Sequence, residues 1–115
     1  MTDKIYATLM AEAFASSDRE TYISDWALSS IWGGAEDAEI PQARIAALGD
    51  IWDVAHLSIK DIRKASGMSQ VAFAQHVCIP RRSIEDWERG VRTCPDYLRV
   101  LLAEHFGLFH RPEDC

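Results

Sequence analysis

The stretch from Gln70 to Gly90, QVAFAQHVCIPRRSIEDWERG, narrows the possible folds more than any other part of the chain. Phe73, Ala74 and Val77 fall at i, i+1 and i+4, the inner stripe of a short helix. Ile84 and Trp87 fall at i and i+3, the inner stripe of a second. Only Cys78, Ile79 and Pro80 separate the two, so a tight turn must join them, with Ile79 tucked inside it. Ala74 is small where the two backbones cross, and a larger side chain there would push them apart. With these six positions facing inward, the first turn of the second helix points Arg81, Arg82 and Ser83 outward, and Asp86 follows one turn later.

Two adjacent arginines at an exposed helix start run against the helix dipole, which disfavours each cation there by roughly 0.3–1 kcal/mol. A sequence tuned for stability alone would place Asp or Glu at those positions. The pattern implies an anionic partner that meets the guanidiniums and the free N–H groups of the helix end together.

The rest of the chain is punctuated as helices, and the expected fold class is all-α. Ser58 opens a short helix that closes at Gly67, and Ser69 caps the helix Gln70–Val77. Pro80 opens the next, which stops at Gly90, and Cys94–Pro95–Asp96 opens a last one running to Phe106 and Gly107. These four short helices form a bundle only by burying Ile62, Phe73, Val77, Ile84, Trp87, Leu98, Leu101 and Leu102 together. Before them, Ile5, Leu9, Met10, Ala13 and Phe14 mark one helix over residues 3–15. A capping box Ser17–Asp18–Arg19–Glu20 opens a second helix, turns Tyr22, Ile23, Trp26, Ala27, Ser30 and Ile31 inward, and leads to a stop at Gly33–Gly34. An acidic loop, Ala35–Ile40, leads to a third that starts at Pro41 and carries Ile45, Leu48, Ile51, Trp52 and Ala55 to about His56. Gly49 inside it costs about 1 kcal/mol relative to alanine.

The net charge of −6 hides an asymmetry. Residues 1–56 hold three basic and ten acidic residues, whereas residues 57–99 hold eight basic and five acidic. Salt screens charge beyond about 8 Å, so a polyanion meets the local basic face and not the whole-chain sum.

At this point residues 58–107 resemble the Cro/phage-repressor type of helix-turn-helix domain, the XRE family. The matching residues are Ile62–Arg63, Gly67–Met68–Ser69–Gln70, Phe73–Ala74–Gln75, Val77, Ser83–Ile84, Trp87–Glu88, Gly90 and Pro95. The resemblance implies a four-to-five-helix repressor-like bundle at 57–109, with 1–56 as an N-terminal helical extension and 110–115 as a tail. It implies double-stranded DNA as partner, with Gln70, Arg81, Arg82, Ser83 and Asp86 at base edges in the major groove. Arginine suits guanine O6 and N7, and Asp86 either accepts from cytosine N4 or orients Arg82 through an ion pair. Ser69, Arg89 and Arg92 match positions that hold phosphates. It further implies a transcriptional regulator in a bacterial or phage-encoded cytoplasmic protein, most often a repressor, acting as a homodimer on half-sites about 34 Å apart. A single domain of this kind covers only about 600–1,000 Å², so tight binding needs two copies. Cys78 stands where the family usually has a left-handed glycine, at a cost of something like 1–2 kcal/mol.

The extension matches nothing in that family, and three roles stay open for it: packing against the bundle, dimerisation, or binding another protein. The last gives the competing function, a protein-interaction module such as an antitoxin-like or phage regulatory adaptor. Cys78, Cys94, His76, His105 and His110 lack the paired spacing of closed metal sites, so no metal or other cofactor is expected. The odd count of three cysteines argues against a disulfide framework, with Cys115 a free terminal thiol. Asp50 and Asp53, like Glu36, Asp37 and Glu39, read as solvated or partner-facing carboxylates, and no nucleophile–base pair points to an enzyme. The N-terminus lacks a secretory pattern and no run approaches the ~20 apolar residues of a membrane span, so no membrane association is expected.

Overall fold

The computed structural model describes residues 1–33 and 40–112. Among these residues it is all-α, with seven α-helices, one 3₁₀ turn and no strand. The chain divides into two compact units, Met1–His56 with Arg111–Cys115, and Leu57–His110.

The first unit holds α1 (Asp3–Ala15), α2 (Arg19–Ala27) and α3 (Gln42–Ala55), with α3 packed on both of the others. Its interior is built from Leu9, Met10 and Ala13 of α1, Tyr22 and Ala27 of α2, and Leu48, Ile51 and Val54 of α3. The buried Tyr22 hydroxyl donates to the Leu9 carbonyl at 2.8 Å, so its polar atom enters the core satisfied. Burial also raises the Tyr22 pKa well above the ordinary phenol value. Asp53 is no free carboxylate: it accepts from Arg19 Nε at 2.9 Å, which raises the guanidinium's pKa further. Arg111, within the expected tail, donates to Asp3 at 2.6 Å and lies over the Tyr6 ring, 4.1 Å from its centroid.

The second helix departs from its sequence reading at both ends. Asp18, not Ser17, is the cap: its carboxylate accepts from the Thr21 N–H at 3.1 Å. The helix stops at Ala27 and not at Gly33, because Ser29 starts a separate 3₁₀ turn, Ser30–Trp32, by accepting from the Ile31 N–H. The Trp32 indole donates to the Trp26 carbonyl at 2.7 Å and locks that break in place. Ser30 is therefore exposed instead of facing inward. Gly34, the loop 35–39 with its three carboxylates, and Cys115 lie outside the described residues.

Gly49 has a steric reason. A Cβ at this buried position would stand 2.5 Å from Arg19 Nη2, in the space the Arg19–Asp53 pair occupies between α2 and α3.

The second unit holds α4 (Ile59–Ser66), α5 (Gln70–Val77), α6 (Arg81–Glu88) and α7 (Asp96–His105). Ser58 and Ser69 cap α4 and α5 through their hydroxyls, and Gly67 closes α4 with φ 75°. Ile62, Phe73 and Ile84 are fully buried, and Ala74, Val100, Leu102 and Ala103 join them. Leu101 does not, at 57% exposure. Successive helical residues turn by ~100°, so the run Val100–Leu101–Leu102–Ala103 cannot all face inward, and Leu101 is the one turned out.

Candidate nucleic-acid interface

The site begins with the turn between α5 and α6. Cys78 adopts the left-handed conformation, φ 58° and ψ 38°, the one non-glycine residue with positive φ among the described residues. The Ala74 carbonyl accepts from the Cys78 N–H and from the Ile79 N–H at 3.1 Å, which closes α5 and turns the chain. Pro80 then fixes the entry to α6, its carbonyl accepting from the Ser83 N–H at 3.0 Å. Proline has no side-chain acceptor, so no side chain caps α6. The backbone N–H groups of Arg81 and Arg82, ahead of the bonded Ser83, are thus left for an anion.

Arg81 and Arg82 are both exposed at this helix start. Arg81 Nε is 2.9 Å from Glu85 one turn along, and Arg82 enters none of the ion pairs among the described residues. Ser83 is half-buried beside them. The Asp86 side chain is only 14% exposed, and its ion-pair partner is Arg92, at 3.8 Å, not Arg82. The Asp86 carbonyl also accepts from the Val91 and Arg92 N–H groups at 2.9 and 3.3 Å, so it shapes the loop after α6. Arg89 is exposed at the end of α6. The Ser69 hydroxyl accepts from the Ala72 N–H at 3.1 Å and keeps its own proton to donate.

Gln70 opens α5 near the Glu88 carboxylate, whose pKa it helps to lower. Glu88 in turn receives Arg63 Nε at 2.7 Å and Nη2 at 2.8 Å, while Arg63 Nη1 donates to the Met68 carbonyl at 3.2 Å. These bonds hold the Glu88 carboxyl below its ordinary pKa, the Arg63 hydrogen bond first, and raise that of Arg63. Arg63 therefore ties α4 to the end of α6 and to the turn ahead of α5. Sequence spacing alone did not join these residues. The Arg81–Glu85 pair, at i and i+4, carried a readable signal.

Among the residues considered for a metal, Cys94 is buried, which pushes its thiol up to about 11, and Cys78 is exposed. His76 and His105 are brought together, 2.9 Å apart at Nε2. Among the described residues no group of three or more His, Cys, Asp and Glu gathers for a metal ion.

Residues 59–107 match the helix-turn-helix family model. This segment is a helix-turn-helix domain of the Cro/phage-repressor type. No curated protein and no solved structure matches the chain. The helix-turn-helix domain belongs to a family of DNA-binding regulators, which is not an enzymatic one. Among the described residues no helix is long and apolar enough to cross a membrane.

Proposed function

We propose that the protein is a sequence-specific transcriptional regulator, acting in the cytoplasm as a repressor that occludes promoter DNA. The observation that carries this reading is the uncapped first turn of α6, where Arg81 and Arg82 stand exposed beside unsatisfied N–H groups. In the major groove these arginines and Ser83 read base edges, with Gln70 and Asp86 at the margins of the same surface. Ser69, Arg89 and Arg92 hold phosphates and set the register. Residues 57–109 form the DNA-binding part. The protein works as a homodimer on a two-fold operator, because one small domain covers too little DNA for tight binding.

Binding-site selection from random duplexes, followed by mobility shifts on the selected site, tests this. Arg81→Ala and Arg82→Ala relax preference at one or two base pairs, each good arginine–guanine pair being worth about 1–3 kcal/mol. Arg92→Ala weakens binding to every duplex and flattens the log–log salt dependence by about 0.9. A selected site that is not palindromic, or a one-to-one complex in sedimentation, overturns the dimer. Footprints unchanged by the double arginine substitution overturn the groove assignment.

A second reading has one feature in its favour. Residues 1–56 carry ten acidic against three basic residues and supply the helices of a unit with its own buried interior. Such a surface suits a basic protein partner, as in an antitoxin-like adaptor. Failure to retain any duplex at low salt would favour it.

A further inference from the structure

We propose that His76 and His105 form a two-histidine site for a borderline divalent transition metal ion of the Zn²⁺ type. The two Nε2 atoms lie 2.9 Å apart although the residues are 29 positions apart in sequence. Both side chains are exposed, so an ion reaches them from solvent. Imidazole is the ligand such ions favour, over the oxygen sets that hold Mg²⁺ or Ca²⁺.

The rings are held in position. Phe106 meets His105 edge-on at 4.9 Å and His76 at 5.4 Å, and it stacks at 5.4 Å on Phe73, which is fully buried. The pair therefore stands on an aromatic platform rooted in the core, and little side-chain freedom is lost on binding. His76 sits in the last turn of α5 and His105 in the last turn of α7. Both helix ends carry partial negative charge, which favours a cation between them.

The chemistry balances without any co-reactant. An Nε2–H···Nε2 bond between neutral rings has one imidazole protonated at Nε2 and the other at Nδ1. The second is already the tautomer that ligates through Nε2. The first moves its proton from Nε2 to Nδ1 by exchange with solvent, and both lone pairs then face the ion. At Zn–N distances of about 2.0–2.1 Å, two ligands on a tetrahedral ion stand ~3.3–3.4 Å apart, so the rings need to part by only ~0.4–0.5 Å. Water fills the remaining positions. The bound ion links α5 to α7 and stabilises the fold that presents α6.

The test uses the full chain, freed of metal by chelator and titrated with Zn²⁺, with Mg²⁺ as control. Long-range ¹H–¹⁵N spectra of the imidazoles are expected to show both Nε2 resonances moving in one saturable step, together with a rise in Tm. His76→Gln and His105→Gln each lose at least tenfold in Zn²⁺ affinity, whereas His110→Gln and Cys78→Ser bind as the parent does. A titration that leaves either histidine's Nε2 unmoved overturns the site, and so does parent-like Zn²⁺ binding by His76→Gln or His105→Gln. The spectra of the parent chain decide even if one variant fails to fold.

Discussion

Arg63 on α4 grips both carboxylate oxygens of Glu88 on α6, at 2.7 and 2.8 Å, across 25 residues of sequence. The two side chains are only 16% and 5% exposed, so little water competes for either charge. The pair thus fixes the far end of α6 to α4. Glu88→Ala leaves a largely buried guanidinium without its acceptor, and the expected loss is ~2–3 kcal/mol. Urea unfolding of the variant and parent checks it, and superimposable midpoints would show the pair to be idle. Glu88→Gln keeps the shape and one acceptor, and falls between the two.

The same pair sets an acid limit. The folded pKa of Glu88 lies below its ordinary value of 4.5, first because of the Arg63 hydrogen bond. A depressed carboxyl contributes stability that is fully present above 4.5 and lost as pH falls through the folded value. The parent therefore loses stability more steeply below pH 4.5 than Glu88→Gln, measured by urea midpoints at stepped pH. Parallel curves in that range would refute the linkage.

Cys78 occupies a left-handed position at φ 58°, where a side chain strains the backbone. Glycine reaches that conformation freely but gives up some entropy in the unfolded chain. With the left-handed penalty at roughly 1–2 kcal/mol, Cys78→Gly should stabilise the domain by ~1 kcal/mol. The exposed thiol makes no contact that offsets this beyond a long approach to the Gln75 carbonyl, 3.9 Å. A lower melting temperature for the glycine variant would contradict the strain.

The helices of residues 57–110 were legible to within a residue because their ends are written locally. Ser58, Gly67, Ser69, Pro80, Pro95 and Gly107 each start or stop a helix through their own backbone or hydroxyl chemistry. The end of α2 was not legible, since the Trp32 indole bond to Trp26 that secures it depends on the chain folding back. Outward placement of Arg81 and Arg82 followed from the phase of Ile84 and Trp87, while their ion-pair environment did not. Asp86 finds Arg92 beyond the end of α6, and His76 finds His105 across two helices. Such pairings depend on how helices cross, which no periodicity within one helix encodes.

Gly49 gives a test of packing in the first unit. Alanine at a helix interior gains about 1 kcal/mol over glycine. Here its Cβ would meet Arg19 Nη2 at 2.5 Å and drive the guanidinium from Asp53. That pair is solvent-exposed, with side chains 41% and 56% accessible, and such pairs contribute little to stability. Gly49→Ala is therefore expected near neutral in the parent. In an Arg19→Ala background the clash is gone and the same substitution stabilises by ~1 kcal/mol. Equal effects in both backgrounds would mean that Arg19 does not set the glycine.

Glu85 holds Arg81 at 2.9 Å, so under the proposed function a duplex competes for that guanidinium. Both side chains are partly exposed, and the pair is weak enough for a phosphate or a guanine to displace. Glu85→Gln removes the competitor and one negative charge from the surface proposed to face DNA. Duplex affinity should rise several-fold at low salt, and adding Arg81→Ala should abolish the gain. The form of the gain also reports what Arg81 touches. A log–log salt slope steeper by about 0.9 means a new phosphate contact. A gain confined to one selected duplex at unchanged slope means a base edge. No gain on any duplex would place Arg81 outside the contact surface and leave Arg82 to carry the groove reading alone.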